Sequence, residues 1–461
     1  MTDAALEHRE LMVSGSIDRA ILHLGAPAAL SAMLQAGFLI VDAFWLGRVG
    51  AVALAAASTA GFVMWMAQVV GEGLASGSGA VLARAVGAGD AAAARRASAA
   101  GQALAVWGSL AVTGTGLALL GASFRFMGTS AEVTEAGAAY LRIILLAMPA
   151  YFVLTWISAA FRAAGDARTP LKLLALAAAI NVVGDPLLIF GLGPLPRLGI
   201  VGAALATAAS WLVGAVLGWR LLARKNLQPG WLDFLRPPAE CGRALRVGVP
   251  LGAEGALFSL IYLFLTRITT TFGTPAVAAL GVGHKLEVFN YFVCVGMGAA
   301  ATTLVGQSVG SGDRVRARRA AWRALFVTAV PVGLVTMVLV RFPGAAIAVF
   351  INDHEVVAAG LTYVLLVGMS QVFMAAEVVL LGAFAGLHWT AVPAALEITL
   401  TGLRVPLAWW LVQLGWGVEA VWFAIGATTV VKGMVLIVLL AAKTATHRGR
   451  QTVQSQQTGG N

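Results

Sequence analysis

Apolar runs long enough to cross a lipid bilayer recur along the whole chain. A transmembrane helix needs roughly 20 apolar residues, and this 461-residue sequence is 59% hydrophobic and only 11% charged. Barrel strands are shorter and alternate strictly, so the runs predict an all-α integral membrane protein. The breaks between the runs separate twelve spans: 20–46, 52–80, 97–122, 137–163, 170–193, 199–223, 245–272, 277–300, 320–342, 360–386, 392–414 and 417–442.

The cationic residues are concentrated in alternate loops. Arginines and lysines cluster after the second, fourth, sixth and eighth spans, for example at Arg95, Arg168, Arg243 and Arg318, whereas the other loops hold scattered cations. By the positive-inside rule these loops are cytoplasmic, which places both termini in the cytoplasm. The rule also accounts for the net charge of +10, so the basic balance does not predict a nucleic-acid partner.

The two halves of the chain repeat the same short motifs. Leu24–Pro27 returns as Val247–Pro250, and Gly87–Asp90 returns as Gly310–Asp313, both after 223 residues. Such a repeat predicts two six-helix lobes related by a pseudo-two-fold axis along the membrane normal. We therefore predict a cytoplasmic N-terminal segment 1–19, an N-lobe 20–223, a cytoplasmic linker 224–244, a C-lobe 245–442 and a disordered cytoplasmic tail 443–461.

The sequence carries no pattern for enzyme or metal chemistry. Its two cysteines and six histidines have no metal-ligand spacing, and no phosphate-binding loop or catalytic Ser/His pattern occurs. We predict no cofactor, no metal and no enzyme activity. We also predict a monomer in the lipid bilayer.

Asp42 is the most costly residue of the first span. An ionised Asp at the centre of a membrane helix costs about 2.5–3.5 kcal/mol, and the stretch 33–47 around it contains no cation. Gln35 and Phe38 precede Asp42 by seven and four residues, so the three side chains share one helix face. We expect this face to point into the helix bundle, which makes Gln35 and Phe38 candidates for a substrate cavity.

The fifth span contains the second acid of this half. Asn181 and Asp185 are four residues apart and stack on one helix face, and Pro186 is expected to disturb the helix just beyond them. If Asp42 faces Asp185, the two carboxylates cannot easily both ionise in a dry site. Such a pair could bind a proton and release it when water enters. The alternative is that each acid is a buried cap held by hydrogen bonds.

The second half offers different acids. Glu254 lies one helical turn after Pro250, and Glu377 lies in the middle of its span, so both are candidates to line the cavity. The alternative for both is a structural ion pair. Glu287 is expected to pair with Lys285 or with a neighbouring helix.

Short motifs spread over residues 15 to 445 carry a family resemblance. They are Val41–Gly50, Phe161–Pro170, Asn181–Pro186, Gly199–Thr207, Val249–Glu254 and Leu304–Gly310. Taken together they resemble the multidrug and toxic compound extrusion (MATE) transporters, and among these the DNA-damage-inducible branch. The resemblance implies twelve helices in two lobes in a bacterial inner membrane. It also implies export of cationic or amphipathic compounds in exchange for protons or sodium ions.

The resemblance further implies where the coupling ion binds. In that branch the aspartates of the first and fifth helices form the cation site with nearby polar groups, which correspond here to Asp42, Asp185 and Asn181. Tyr140 and Thr207 are weaker candidates for the same network. We therefore predict a proton-coupled multidrug antiporter that works by alternating access. Sodium coupling through the same carboxylates is the first alternative.

Two features of the sequence bear on the remaining alternatives, a sodium site in the second lobe and a flippase for lipid-linked precursors. Another branch of the family places a Glu deeper in helix seven for a sodium site, but the position eight residues after Pro250 is Phe258. A flippase for lipid-linked precursors has a similar architecture, but its cavity is expected to carry cations that bind a pyrophosphate. Cations within the spans are few: Arg142, Arg267, Arg404 and Lys432.

Overall fold

The computed structural model describes residues 10–194, 196–230, 235, 237–350 and 353–458. Within these residues twelve helices are long and apolar enough to cross a membrane, which confirms the predicted class. They are α1 (Ile17–Val49), α2 (Ala51–Ala88), α3 (Ala91–Phe126), α4 (Ala131–Ala163), α5 (Arg168–Phe190), α6 (Ile200–Ala223), α7 (Glu240–Thr270), α8 (Thr274–Gly310), α9 (Arg314–Arg341), α10 (His354–Gly386), α11 (Ala391–Gln413) and α12 (Glu419–Lys443).

Two spans of the second half are interrupted. α10 consists of two helices joined by a 3₁₀ turn, and α11 consists of two helices that meet at Leu403. A short helix precedes α10. The bounds of these pieces are Pro343–Ala348, His354–Leu366, Gly368–Ser370, Gln371–Gly386, Ala391–Gly402 and Arg404–Gln413.

Proline has different effects in the two halves. α5 remains helical through Pro186, so the proline does not interrupt the helix, and its local disturbance of the helix stays a prediction. Membrane helices tolerate proline where neighbouring groups satisfy the freed backbone. In α11, Pro406 lies in the first turn of the second piece, where a missing N–H costs little because it would have no helical partner.

Some segments differ in extent from the prediction. α7 begins at Glu240, inside the segment 224–244 that the sequence assigns to the linker. The last helix continues to Thr458, although the composition assigns 443–461 to a disordered tail. Residues 1–9 and 459–461 lie outside the described residues. The exact bounds of the lobes stay predictions.

The repeated Gly-x-Gly-Asp motif builds the same turn in each half. Gly89 and Gly312 adopt φ values of 73° and 84°, a region that favours glycine because it has no Cβ. The carboxylates of Asp90 and Asp313 then accept backbone N–H groups of the following helices at 2.9 and 2.7 Å. The motif therefore ends α2 and α8 and begins α3 and α9, so the sequence repeat is also a structural repeat.

Each lobe has its own apolar core. In the first lobe, Phe152 and Trp156 of α4 and Trp211 of α6 are at most 7% exposed. In the second lobe, Tyr363 of α10 packs edge-on against Trp422 of α12, with ring centroids 4.9 Å apart. Such close packing holds membrane helices together because lipid tails are as apolar as the side chains. The two cores agree with the predicted two-lobe architecture.

α1 connects the two lobes. Its first part packs against α8, and a Cβ added to Gly296 of α8 would lie 2.2 Å from the backbone nitrogen of Ala29. Its later part packs against α5, where the rings of Trp45 and Phe190 lie edge-on with centroids 6.0 Å apart. Asp42 is in this later part, so one helix carries the acid and touches the opposite lobe.

A contact lined by glycine, here called the seam, joins α2 of the first lobe to α7 of the second. It consists of Gly73 and Gly77 of α2 and of Ala244 and Gly248 of α7. Small residues allow two helix backbones to approach this closely. The seam lies in the halves of α2 and α7 nearest the arginine-bearing loops, so the lobes meet on the predicted cytoplasmic side.

The loop between α10 and α11 also reaches across to α2. His388 Nε2 donates to the carbonyl oxygen of Ala80 at 3.1 Å, and its Nδ1 lies 3.5 Å from Nη1 of Arg84. Burial lowers the pKa of His388 from its ordinary value of 6.5, and the charge of Arg84 lowers it too. The closed contact therefore favours the neutral imidazole.

Candidate functional site

Four polar residues from three helices meet inside the first lobe. Asp42 of α1, Asn181 and Asp185 of α5 and Thr207 of α6 are at most 6% exposed. The side-chain amide of Asn181 donates to Asp185 Oδ1 at 3.1 Å and to Thr207 Oγ1 at 3.2 Å. The helical spacing of Asn181 and Asp185 places both on one face, and α5 packs against α1 and α6. The site therefore forms where three helices meet.

The carboxyl groups of Asp42 and Asp185 lie close enough to interact electrostatically. Asp42 Oδ1, Asp185 Oδ2 and Asn181 Oδ1 are buried and have no hydrogen-bond partner among the described residues. Two ionised carboxylates can only accept hydrogen bonds, so nothing in the pair itself can bridge them. The arrangement suits a proton shared between the two groups or a small cation bound by their oxygens.

Tyr140 of α4 completes this group. It is 3% exposed and lies close enough to interact electrostatically with both Asp42 and Asp185. The structure thus brings together the five residues that the sequence groups as a cation site. Their role in transport stays a prediction.

The four predicted cavity residues do not form one group. Gln35 is exposed and Phe38 is half-buried on α1, whereas Glu254 is half-buried on α7. Glu377 is 8% exposed, and its Oε1 lies 2.5 Å from Nζ of Lys432. A structural ion pair, which is one of the two alternatives from the sequence, therefore describes Glu377 better than an open cavity acid does.

Lys432 of α12 also contacts Glu397 and Thr401 of α11, a cluster that the sequence pattern does not predict. Nζ lies 2.9 Å from Glu397 Oε2 and 3.1 Å from Thr401 Oγ1. The four-residue spacing of Glu397 and Thr401 puts both on one helix face, and this part of the cluster could be predicted from the sequence. The lysine that joins them belongs to another helix, so only the packing of α10, α11 and α12 reveals the cluster.

Glu72 of α2 is another acid, whose partner on a second helix the sequence does not predict. It lies in the middle of α2 and is exposed, and the hydroxyl of Tyr151 donates to its Oε1 at 3.1 Å. The ring of Tyr151 lies 5.0 Å from that of Trp211. An exposed carboxylate beside aromatic rings suits an organic cation, which both can attract.

Glu287 of α8 pairs with a neighbouring helix and not with Lys285. The hydroxyl of Tyr363 in α10 donates to Glu287 Oε1 at 2.5 Å. The ammonium of Lys285 instead lies over the ring of Phe350, 5.9 Å from its centroid. Residues two apart on a helix do not face each other, which explains why the local pairing fails.

Two helical lobes with buried acids, joined by contacts on one side, define the class of two-lobed membrane transporters. The MatE family profile matches residues 27–187 and again residues 250–410, and the chain belongs to this family. The two matches begin at Pro27 and Pro250, the prolines that end the first repeated motif. As a member of this family the chain is a multi-pass membrane transporter and not an enzyme.

Known proteins resemble the chain over most of its length. A "Probable multidrug resistance protein NorM" from Thermotoga maritima is 28% identical over 405 residues, 86% of each chain. An "FAD transporter" from Shewanella oneidensis is 28% identical over 353 residues, 76% of this chain and 78% of that protein. A solved outward-facing multidrug resistance MATE family transporter superposes with a TM-score of 0.87 at 22% identity, covering 95% of this chain and 98% of that chain. This structural similarity supports the assignment of the fold.

Proposed function

We propose that this protein exports cationic or amphipathic compounds in exchange for protons, and that Asp42 and Asp185 bind the coupling proton. The proposal is carried by one observation, the adjacent burial of these two carboxyl groups with Asn181 as a hydrogen-bond donor. In a low-dielectric site two adjacent carboxylates disfavour double ionisation. One proton is therefore retained until water or another charge reaches the pair.

α1 provides the connection between proton binding and movement of the lobes. Asp42 lies in the part of α1 that packs against α5, whereas Ala29 lies against Gly296 of α8. A change of charge at Asp42 alters the packing of α1 on α5, and α1 carries that change to α8. A ligand shifts such an equilibrium only if it binds the two arrangements differently. The proton and the exported compound are therefore coupled when each favours a different position of α1.

The substrate class is supported by Glu72 and by the relatives. Glu72 is an exposed carboxylate in the middle of α2 beside Tyr151, which favours organic cations. The name of the Thermotoga maritima relative refers to multidrug resistance, and a range of amphipathic substrates agrees with that name. We further propose that the protein works as a monomer in a bacterial inner membrane with both termini in the cytoplasm, as the loop charges indicate.

Export of an anionic flavin nucleotide is a second candidate function, favoured by Arg404. This residue is 2% exposed, and its guanidinium donates to the hydroxyls of Thr428 and Thr429 at 2.8 Å. The rings of Phe258 and Tyr262 lie 5.9 and 5.7 Å from it, and no ion-pair partner occurs among the described residues. A guanidinium with aromatic neighbours can bind phosphate and stack on a planar ring. The Shewanella oneidensis relative is named an FAD transporter.

Uptake of a fluorescent organic cation into everted vesicles with an acid interior tests the coupling. The wild type and the matched exposed variant Glu132→Gln should take up the cation until the pH gradient is dissipated. Asp42→Asn should lose at least about tenfold in initial rate, which corresponds to about 1.4 kcal/mol. Undiminished proton-driven uptake by Asp42→Asn, at equal protein level, would exclude the proposed role.

Two additional conditions separate the alternatives. A sodium gradient at constant pH should drive no uptake, and sodium-driven transport that Asp42→Asn abolishes would favour sodium as the coupling ion. FAD offered in place of the organic cation distinguishes the substrate classes. Flavin uptake that Arg404→Gln abolishes, while the cation is not transported, would favour the second candidate.

A further inference from the structure

Lys432 lies at the centre of a group of oxygen atoms, here called the oxygen cage, in the second lobe. The lysine is 1% exposed. Its Nζ lies 2.5 Å from Glu377 Oε1, 2.9 Å from Glu397 Oε2 and 3.1 Å from Thr401 Oγ1. Glu377 comes from α10, and the other two ligands come from α11. An ammonium group from α12 thus occupies a space bounded by two carboxylates and one hydroxyl.

Carboxylates outnumber ammonium groups in and around the cage. Two carboxylates face one ammonium, and Glu254 of α7 lies within electrostatic reach of both Glu377 and Lys432. Glu397 is 1% exposed, and its Oε1 has no hydrogen-bond partner among the described residues. Arg404 also acts on Glu254, but its guanidinium donates to hydroxyl groups outside the cage. Buried carboxylates need a compensating positive charge, so the cage requires a cation.

The ligands of the cage are those that small hard cations prefer. Carboxylate and hydroxyl oxygens bind such cations directly. A lysine ammonium is a compact point charge with three donors, and Nζ has three oxygen neighbours here. Lys432 therefore satisfies the cage in the same way as a bound monovalent cation, but it is attached to the chain and cannot leave.

We propose that the oxygen cage is a monovalent-cation site that Lys432 keeps permanently occupied, so that sodium cannot bind there in the wild-type protein. Removal of the ammonium with retention of the oxygens converts the cage into a sodium site. The proposal concerns the second lobe alone and does not depend on the proton site at Asp42. It identifies Lys432 as the residue that determines the ion selectivity of the second lobe.

Thermal unfolding of the purified full-length protein in detergent tests this assignment. The melting temperature is measured in sodium chloride and in choline chloride at equal ionic strength, in an Asp42→Asn background that removes the first-lobe site. Lys432→Ala should acquire a saturable rise of at least about 2 °C in sodium, because a ligand that binds the folded state stabilises it. The background protein and the matched exposed variant Lys172→Ala should melt at equal temperatures in both salts.

A second substitution identifies the ligands. Addition of Glu377→Gln to Lys432→Ala should abolish the sodium response, because only one carboxylate of the pair remains. A folded Lys432→Ala protein without a sodium response overturns the proposal, and so does a response that survives Glu377→Gln.

If Lys432→Ala does not fold, as judged by gel filtration, the proposal is tested with the protein that retains Lys432. A sodium-dependent rise in its melting temperature that Glu377→Gln abolishes overturns the proposal. Equal melting temperatures in the two salts support it.

Discussion

The seam between α2 and α7 has no room for a methyl group on Gly77. A Cβ there would lie 2.2 Å from the carbonyl oxygen of Ala244 and 2.7 Å from the backbone nitrogen of Gly248. A carbon–oxygen contact needs about 3.3 Å, so Gly77→Ala requires the two helices to separate by about 1 Å. Both atoms belong to the backbone of α7, and therefore no side-chain rotation can relieve the clash.

The cost of this clash gives the size of the expected effect. Overpacking at a close contact costs about 1–3 kcal/mol. The penalty applies to the arrangement in which the seam is closed, because separation of α2 from α7 removes the contact altogether. The equilibrium between closed and open seams should therefore shift by about 5- to 150-fold toward the open one.

Labelling of a cysteine beside the seam measures this shift. Ala385 is 1% exposed and packs between α2 and α7, so Ala385→Cys reports opening once Cys241 and Cys294 are replaced. Gly77→Ala should raise the rate of maleimide labelling by about 5- to 150-fold. The matched control is Gly114→Ala, because a Cβ at Gly114 meets nothing within 4 Å, and this variant should label at the wild-type rate.

Two results would refute the reasoning. Equal labelling rates in Gly77→Ala and wild type, with unchanged melting temperature, would mean that the closed seam accommodates a methyl group. Equal labelling with a lowered melting temperature would mean that the clash destabilises both arrangements alike, so the seam would not be the contact that opens.

Three further changes test other parts of the molecule. Asn181→Ala removes the donor to Asp185 and should lower proton-driven uptake at least about tenfold, since a hydrogen bond to a charged group contributes about 1.5–3 kcal/mol. Uptake at the wild-type rate would contradict a role for the hydrogen bond between Asn181 and Asp185. Tyr363→Phe removes the hydroxyl that donates to the half-buried Glu287 and should lower the free energy of unfolding by about 1–3 kcal/mol. This should be seen as a lower melting temperature, and an unchanged value would contradict it. Because burial lowers the pKa of His388 from 6.5, the contact it makes is fully stable above that pH and weakens as the pH falls further. The labelling rate of the same seam cysteine, divided by the rate of an exposed cysteine at the same pH to correct for the loss of thiolate, should rise on acidification, and His388→Gln should remove that rise.

The parts of the fold that follow from local rules agree with the sequence. A bilayer admits only helices or closed barrels, because every backbone group must be satisfied internally, so the apolar runs were sufficient to predict the spans. The repeated glycine and aspartate at Gly89–Asp90 and Gly312–Asp313 also act locally, as a turn and a helix cap. The effect of Pro186 was not predictable, because it depends on what neighbouring helices provide.

The candidate site was predictable to the extent that it lies on one helix. Asn181 and Asp185 share a face of α5 because of their spacing, and the hydrogen bond between them follows from it. The sequence does not determine whether Asp42 faces Asp185. The packing of α1 on α5 brings the two residues together. The contact of Glu72 with Tyr151 was not predictable, since nothing in the local sequence of Glu72 says which helix it faces.

The sequence by itself determined a two-lobed, all-α membrane transporter with costly acids in its spans. Only the tertiary structure decided which charges meet: Asp42 with Asp185 in the first lobe, and Lys432 with Glu377 and Glu397 in the second. The physical reason is that spacing along a helix determines which residues share a face, whereas partners on different helices depend on how the helices pack. The glycines that bring α7 against α2 and α8 against α1 contribute to that packing and hence to the position of both sites.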